Sequence, residues 1–296
     1  MKSIKNVLVA LDGAAKNKSL QQVTALFVNK LGARKVLGIH VIPVLKIADT
    51  VTVDARHPLT PAAPAVELVR SKIEREADFL KKCCKQAEVG VAIREGQPYN
   101  SMVRLTEEMD ADLLILGRRE HSSQSGITAQ KIARKVKSDV LFVPEGRSST
   151  IERIMVAIDF SDDSARAVEK ALFLADHLGL TQAVTCLNIL DIPPISRIGE
   201  MDIYNLAGKS VLEISKERYE HFLDQYHLDR DRLEPLFVES WDANLGDTIR
   251  STAHETGTDL LVLGAHGHGA IQRFFAGSVT ENLVDGDKDH LIWVVR

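Results

Sequence analysis

The sequence predicts an α/β protein built from two tandem doubly wound domains, each a five-stranded parallel sheet flanked by helices. Three observations predict it. Strand-like and helix-like segments alternate along the whole chain. Most strand-like segments are continuous apolar runs, which implies burial on both faces and so a parallel sheet covered by helices on each side. The pattern also recurs at a single offset. Ile4-Lys-Asn-Val-Leu-Val-Ala-Leu-Asp12 and Glu152-Arg-Ile-Met-Val-Ala-Ile-Asp159 end in aspartates 147 residues apart. Asp112-Leu-Leu-Ile-Leu-Gly117 and Asp259-Leu-Leu-Val-Leu-Gly264 are separated by the same 147. A period that long implies two complete domains rather than a solenoid.

In order, the first copy reads as strands near Val7–Leu11, Lys35–Ile42, Val89–Arg94, Leu113–Leu116 and Val140–Val143. The second reads as strands near Ile154–Ile158, Ala183–Leu190, Leu233–Val238, Leu260–Leu263 and Leu291–Val295. Helical periodicity lies between them at Ser19–Leu31, Glu67–Gln86, Ala165–Leu178 and Val211–Gln225. The join falls near Glu145-Gly-Arg-Ser-Ser-Thr150, giving domains at 1–146 and 151–296. Pro43–Pro64 and Pro193–Gly208 are long connectors, read equally well as lids, partner-binding loops or disordered links. His290-Leu-Ile-Trp-Val-Val295 and Val140-Leu-Phe-Val143 are apolar edge strands, and pairing across an internal twofold would cover both.

Composition narrows the function. Net charge is −4, which offers no polyanion-binding surface, and aromatics at 5% argue against a stacking platform for single-stranded nucleic acid. No apolar run reaches membrane-spanning length, and no signal-peptide core precedes the first strand, so a cytoplasmic location is expected. The three cysteines, Cys83, Cys84 and Cys186, lack zinc-site spacing and read as reduced thiols without a special role.

The most informative stretch is Gly264-x2-Gly267-x9-Gly277-Ser278, between the strand at Leu260–Leu263 and a helical start at Val279-Thr-Glu-Asn-Leu-Val284. Strand, glycine-punctuated loop and helix start is an arrangement that holds phosphate. Glycine lets backbone amides approach an anion, and a helix N-terminus adds partial positive charge. Asp159 and Gly264 both close strands, so the two motifs are expected to share one crevice. Asp159 could open a turn or cap the following helix, but Ser161 or Asp162 is the more natural cap, which would leave Asp159 free to face the crevice.

These residues resemble the universal stress protein family, here as a tandem of two such domains with the second like its ATP-binding branch. The resemblance rests on Gly264-x2-Gly267-x9-Gly277-Ser278, the run from Gly277 to Asn282, and Ala157-Ile-Asp-Phe-Ser161. It implies the strand order 3-2-1-4-5, a stress-response regulatory role, pairing of domains about a twofold axis, and ATP or AMP, with or without Mg2+, in the second half. Homodimerisation of the whole chain is left open. By the same resemblance, Asp159 lies near the ribose or a phosphate-bound metal, and the backbone at Ile189 meets the adenine edge. The implied nucleotide-binding set is Ala157, Ile158, Asp159, Ile189, Gly264, His266, Gly267, Gly277, Ser278, Val279 and Thr280.

The first copy departs from this pattern. Gly117 is kept, but Glu120 stands where the second glycine would be, Ser125-Gly126 replaces the Gly-Ser pair, and the loop is five residues shorter. A carboxylate in a low-dielectric crevice repels phosphate. Arg118 and Arg119 could compensate for an anion, yet nucleotide binding there is expected to be weak or absent. Within the second loop, His266 and His268 make a poor metal site, and Arg273 is solvated by default. Phe274 and Phe275 fit either local packing or contact with a partner.

Three functions remain: a nucleotide-binding regulator, a slow ATPase, or an interaction scaffold. No Gly-x4-Gly-Lys-Ser/Thr phosphate loop and no evident base for activating water are present, so a non-enzymatic role is expected.

Overall fold

A computed structural model describes residues 3–11, 18–43, 63–118, 131, 135–191, 210–240, 244–265, 283 and 287–296. Contacts divide the chain into two compact units between Ser149 and Thr150.

In the first unit the strands are β1 (Asn6–Ala10), β2 (Lys35–Pro43), β3 (Glu88–Gly96), β4 (Leu113–Arg118) and β5 (Asp139–Pro144). All pair in parallel, in the order β3-β2-β1-β4-β5. Helices α1 (Lys18–Leu31), α2 (Ala63–Cys83) and α3 (Pro98–Glu108) connect them. The second unit repeats this with β6 (Ile154–Ala157), β7 (Val184–Asp191), β8 (Leu233–Ser240), β9 (Leu260–Gly264) and β10 (Leu291–Val295), in the parallel order β8-β7-β6-β9-β10. Its helices are α4 (Asp162–Leu178), α5 (Val211–Tyr226) and α6 (Leu245–Glu255). Each unit therefore has the α/β architecture and 3-2-1-4-5 order expected above.

The apolar runs become the cores. Leu113, Leu114 and Ile115 of β4 are fully buried, as are Leu260, Leu261 and Val262 of β9. The aspartate that opens each of these motifs has a structural job. Asp112 Oδ2 accepts from the backbone N–H groups of Lys5 and Asn6 at 2.8 and 3.0 Å. Asp259 Oδ2 accepts from those of Glu152 and Arg153 at 2.8 and 3.1 Å. In both units the carboxylate satisfies donors at the start of the first strand, tying two neighbouring strands together at their amino-terminal ends.

The duplication extends to caps. α1 is followed by Gly32 at φ +67° and α4 by Gly179 at φ +77°, again 147 residues apart. Both positions need the left-handed conformation that glycine adopts without a Cβ penalty. A second matched pair, Asp110 at φ +44° and Gly257 at φ +64°, has glycine in the second unit only. α3 and α6, eleven residues each, lie outside the helical periodicity noted above. Pro98 at the first turn of α3 was the available signal.

Candidate functional site

The winding of the second unit reverses at β6. From β6 the chain steps outward to β7 and β8, then crosses back to β9 on the other side of β6. Ligands of doubly wound sheets bind beyond the carboxyl ends of the strands at this switch point. Ala157 ends β6 and is flanked in the ladder by Leu187 of β7 and Leu263 of β9. Gly264 ends β9, and Ile189 lies near the end of β7. Ala157, Ile158, Asp159, Ile189 and Gly264 thus lie at the carboxyl ends of three neighbouring strands. His266, Gly267, Gly277, Ser278, Val279 and Thr280 lie outside the described residues, as do His268, Arg273, Phe274, Phe275, Asp12, Arg119 and Glu120.

The turn from β6 into α4 is closed by hydrogen bonds. Ser161 is the N-cap of α4, and its hydroxyl accepts from Ser164 N at 3.2 Å. Asp159 is nevertheless not free of this cap. Its Oδ1 accepts from Ser161 N at 3.1 Å and from the hydroxyls of Ser161 and Ser164, each at 2.5 Å. Ser164 Oγ in turn accepts from Asp159 N at 2.9 Å. The expectation of an unengaged Asp159 is corrected for a simple reason. An aspartate two residues before an N-cap can bond the backbone two residues on, as in an Asx turn. The serines then fill the remaining acceptor capacity of that oxygen. Half-buried Asp159 still lies just beyond the carboxyl end of β6, but its carboxylate is held in one place.

Ile158 is clamped as well. Its N–H donates to Leu187 O at 2.8 Å, and its carbonyl accepts from the buried Asn188 Nδ2 at 3.0 Å. The first unit does the same with different chemistry, since His40 Nδ1 lies 2.7 Å from Leu11 O. Asn188 is absent from the set read from the sequence, although a polar side chain inside an apolar strand is the signal for it.

Gly264 has a steric reason to be glycine. A Cβ there would lie 2.7 Å from the carbonyl oxygen of Asp163 and 2.9 Å from its carbon. The strand end therefore abuts the first turn of α4 without room for a side chain. Asp162 and Asp163 place two carboxylates in that turn; Asp162 accepts from the neutral Tyr226 hydroxyl and keeps its charge, while Asp163 pairs with Arg166. Gly264 thus serves close packing between the end of β9 and the start of α4.

The sequence profile of the universal stress protein family matches residues 3–144 and again residues 150–286. The chain belongs to the universal stress protein family. Among solved structures, it is similar to a universal stress protein from Archaeoglobus fulgidus DSM 4304, with a TM-score of 0.67 and 15% identity, covering 98% of this chain and 96% of that one. It is also similar to a putative universal stress protein from Pseudomonas aeruginosa UCBPP-PA14, at 0.61 and 14%, covering 99% and 93%. These likenesses agree on the tandem fold of the family. A half-length universal stress protein from Archaeoglobus fulgidus in complex with dAMP matches 48% of this chain and 99% of its own at 15% identity, with a TM-score of 0.36, too low to bring its ligand across. No curated protein matches the chain.

Other candidate chemistry is muted. Burial, with a contribution from Cys83, pushes the Cys84 thiol up to about 11, and burial pushes Cys186 up to about 12. Neither is a thiolate at neutral pH, which fits structural thiols. Among the described residues, no cluster of three or more His, Cys, Asp or Glu is placed to hold a metal, and no helix is long and apolar enough to cross a membrane.

Proposed function

We propose that the second unit holds one adenine nucleotide, ATP or AMP with or without Mg2+, and that the chain acts as a stress-response regulator rather than an enzyme. The observation that carries this reading is the convergence of Ala157, Asp159, Ile189 and Gly264 at the switch-point crevice, directly before the Gly267-x9-Gly277-Ser278 loop. In this reading Asp159 meets the ribose or a phosphate-bound metal. The backbone of Ile189 meets the adenine, and the loop amides at Gly267, Gly277 and Ser278 meet the phosphates. Val279 and Thr280 follow them in the binding set, and His266 bonds ribose or phosphate. Occupancy then biases the conformation of the loop and of the surface it builds.

The first unit is the contrasting case. At the offset of 147, Gly13, Ala14 and Asn17 stand opposite Phe160, Ser161 and Ser164, so the residues that fix the Asp159 carboxylate are missing from its sequence. Together with Glu120, this supports an interaction role for the first unit without tight nucleotide binding.

The test is to denature the purified chain and quantify released adenine nucleotide. Wild type is expected to release close to one per chain. Gly277→Asp, which places a carboxylate at the phosphate position, should release almost none. Equal release from both would refute the loop assignment.

A further inference from the structure

Phe160 has φ +66°, a left-handed conformation that a bulky aromatic adopts only when its surroundings enforce it. Its ring is packed by one stripe of α5. Arg218, Phe222 and Tyr226 are spaced i, i+4, i+8 and so share a helix face. The Arg218 guanidinium lies over the Phe160 ring at 4.8 Å from its centroid. Phe222 meets the same ring edge-on at 5.7 Å, and Tyr226 packs on Phe222 at 5.2 Å. The Tyr226 hydroxyl donates to Asp162 Oδ1, fastening the other side of the turn.

The left-handed step at Phe160 turns the chain back, so that Ser161 N faces Asp159 Oδ1. Without that step, the residue two positions on would point elsewhere. The serine hydroxyls could not then converge on one carboxylate oxygen. In the first unit the matching residue is Gly13, which can adopt the same φ but cannot be gripped through a side chain.

We propose that Phe160 is a positioning residue: the Arg218–Phe222 grip on its ring locks the turn that presents Asp159 to the nucleotide. This rests on the nucleotide reading above and adds a residue that touches no ligand. It also makes one face of α5 part of the binding apparatus.

The test combines binding with local protection in the full-length chain. Affinity for ATP and for AMP is measured by calorimetry for wild type, Phe160→Ala, Phe160→Gly and Phe160→Tyr, and for Phe160→Ala in an Asp159→Asn background. Hydrogen exchange is read at the Ser161 amide against the amides of β9. Phe160→Ala is expected to weaken nucleotide binding about tenfold. Phe160→Gly should fall between it and wild type, and Phe160→Tyr should rescue to within about twofold. In the Asp159→Asn background, removing the ring should change affinity by less than about twofold, because the group it positions is already altered. Ser161 should lose protection in Phe160→Ala while β9 keeps its own. Unchanged Ser161 protection, or an equal loss of affinity in both backgrounds, would overturn the inference. A wild type that binds beside a Phe160→Ala variant that binds equally well overturns this inference alone. A wild type that binds neither nucleotide overturns the nucleotide reading and this inference with it.

Discussion

Gly264→Ala isolates the steric core of the site. The added Cβ would sit 2.7 Å from Asp163 O, 2.9 Å from Asp163 C and 3.0 Å from Asp163 Cβ. Reaching an ordinary contact of 3.4 Å requires a retreat of about 0.7 Å between backbone segments in a close-packed interior. Neither segment yields easily. β9 is hydrogen-bonded to β6 and β10, and the start of α4 is pinned by the Ser161 cap and Asp159. Overpacking of this kind costs about 2 kcal/mol. With a urea dependence of about 2 kcal/mol per molar, the midpoint should fall by about 1 M. The chain carries its own reporter, since both tryptophans, Trp241 and Trp293, belong to the second half and Trp293 is fully buried. Tryptophan fluorescence therefore follows that unit, and the variant should also bind adenine nucleotide more weakly. Gly90→Ala is the control: its Cβ would meet only a movable methyl, Leu37 Cδ1, at 3.3 Å. It should leave stability nearly unchanged by circular dichroism. A Gly264→Ala midpoint within about 0.2 M of wild type would refute the close-approach argument.

Asp259→Ala removes the acceptor of two backbone N–H bonds at the start of β6 and should destabilise the second unit by about 1–3 kcal/mol, read by the same fluorescence. Asp110→Gly relieves a left-handed conformation at an exposed residue and should stabilise the first unit by about 0.5–1 kcal/mol in chemical denaturation. Asp287 is buried, which alone would raise its carboxyl, but bonds from the His290 ring and from the His290 and Asp289 N–H groups hold it below the ordinary 3.8. A depressed folded value contributes stability that is present above 3.8 and lost as pH falls through the lower folded value. Asp287→Asn should therefore flatten the acid limb of the tryptophan-detected stability profile, and a variant whose acid limb matched wild type would remove Asp287 from that account.

The fold was legible in the sequence because duplication and burial both leave marks in single residues. The 147-residue offset reappears in the caps at Gly32 and Gly179 and in the aspartates Asp112 and Asp259. Continuous apolar runs became fully buried central strands. The end of an edge strand was harder to read: β8 carries Glu234, Pro235 and Glu239 and continues to Ser240, beyond the apolar run that ends at Val238. At the site, strand-terminal positions such as Ala157 and Gly264 were readable because a strand end fixes where a residue lies. The engagement of Asp159 was not, because it depends on two serine hydroxyls and on the conformation of Phe160. No periodicity records a positive φ at a phenylalanine. That conformation is set by Arg218 and Phe222, some sixty residues further along the chain.

The most direct measurement is the stoichiometry of ATP binding to the full-length chain by titration calorimetry, beside Asp159→Ala and Gly277→Asp. One site per chain, lost in both variants, is the predicted result. Two equivalent sites, no site, or a single site untouched by either substitution would contradict the assignment of the nucleotide to the second unit.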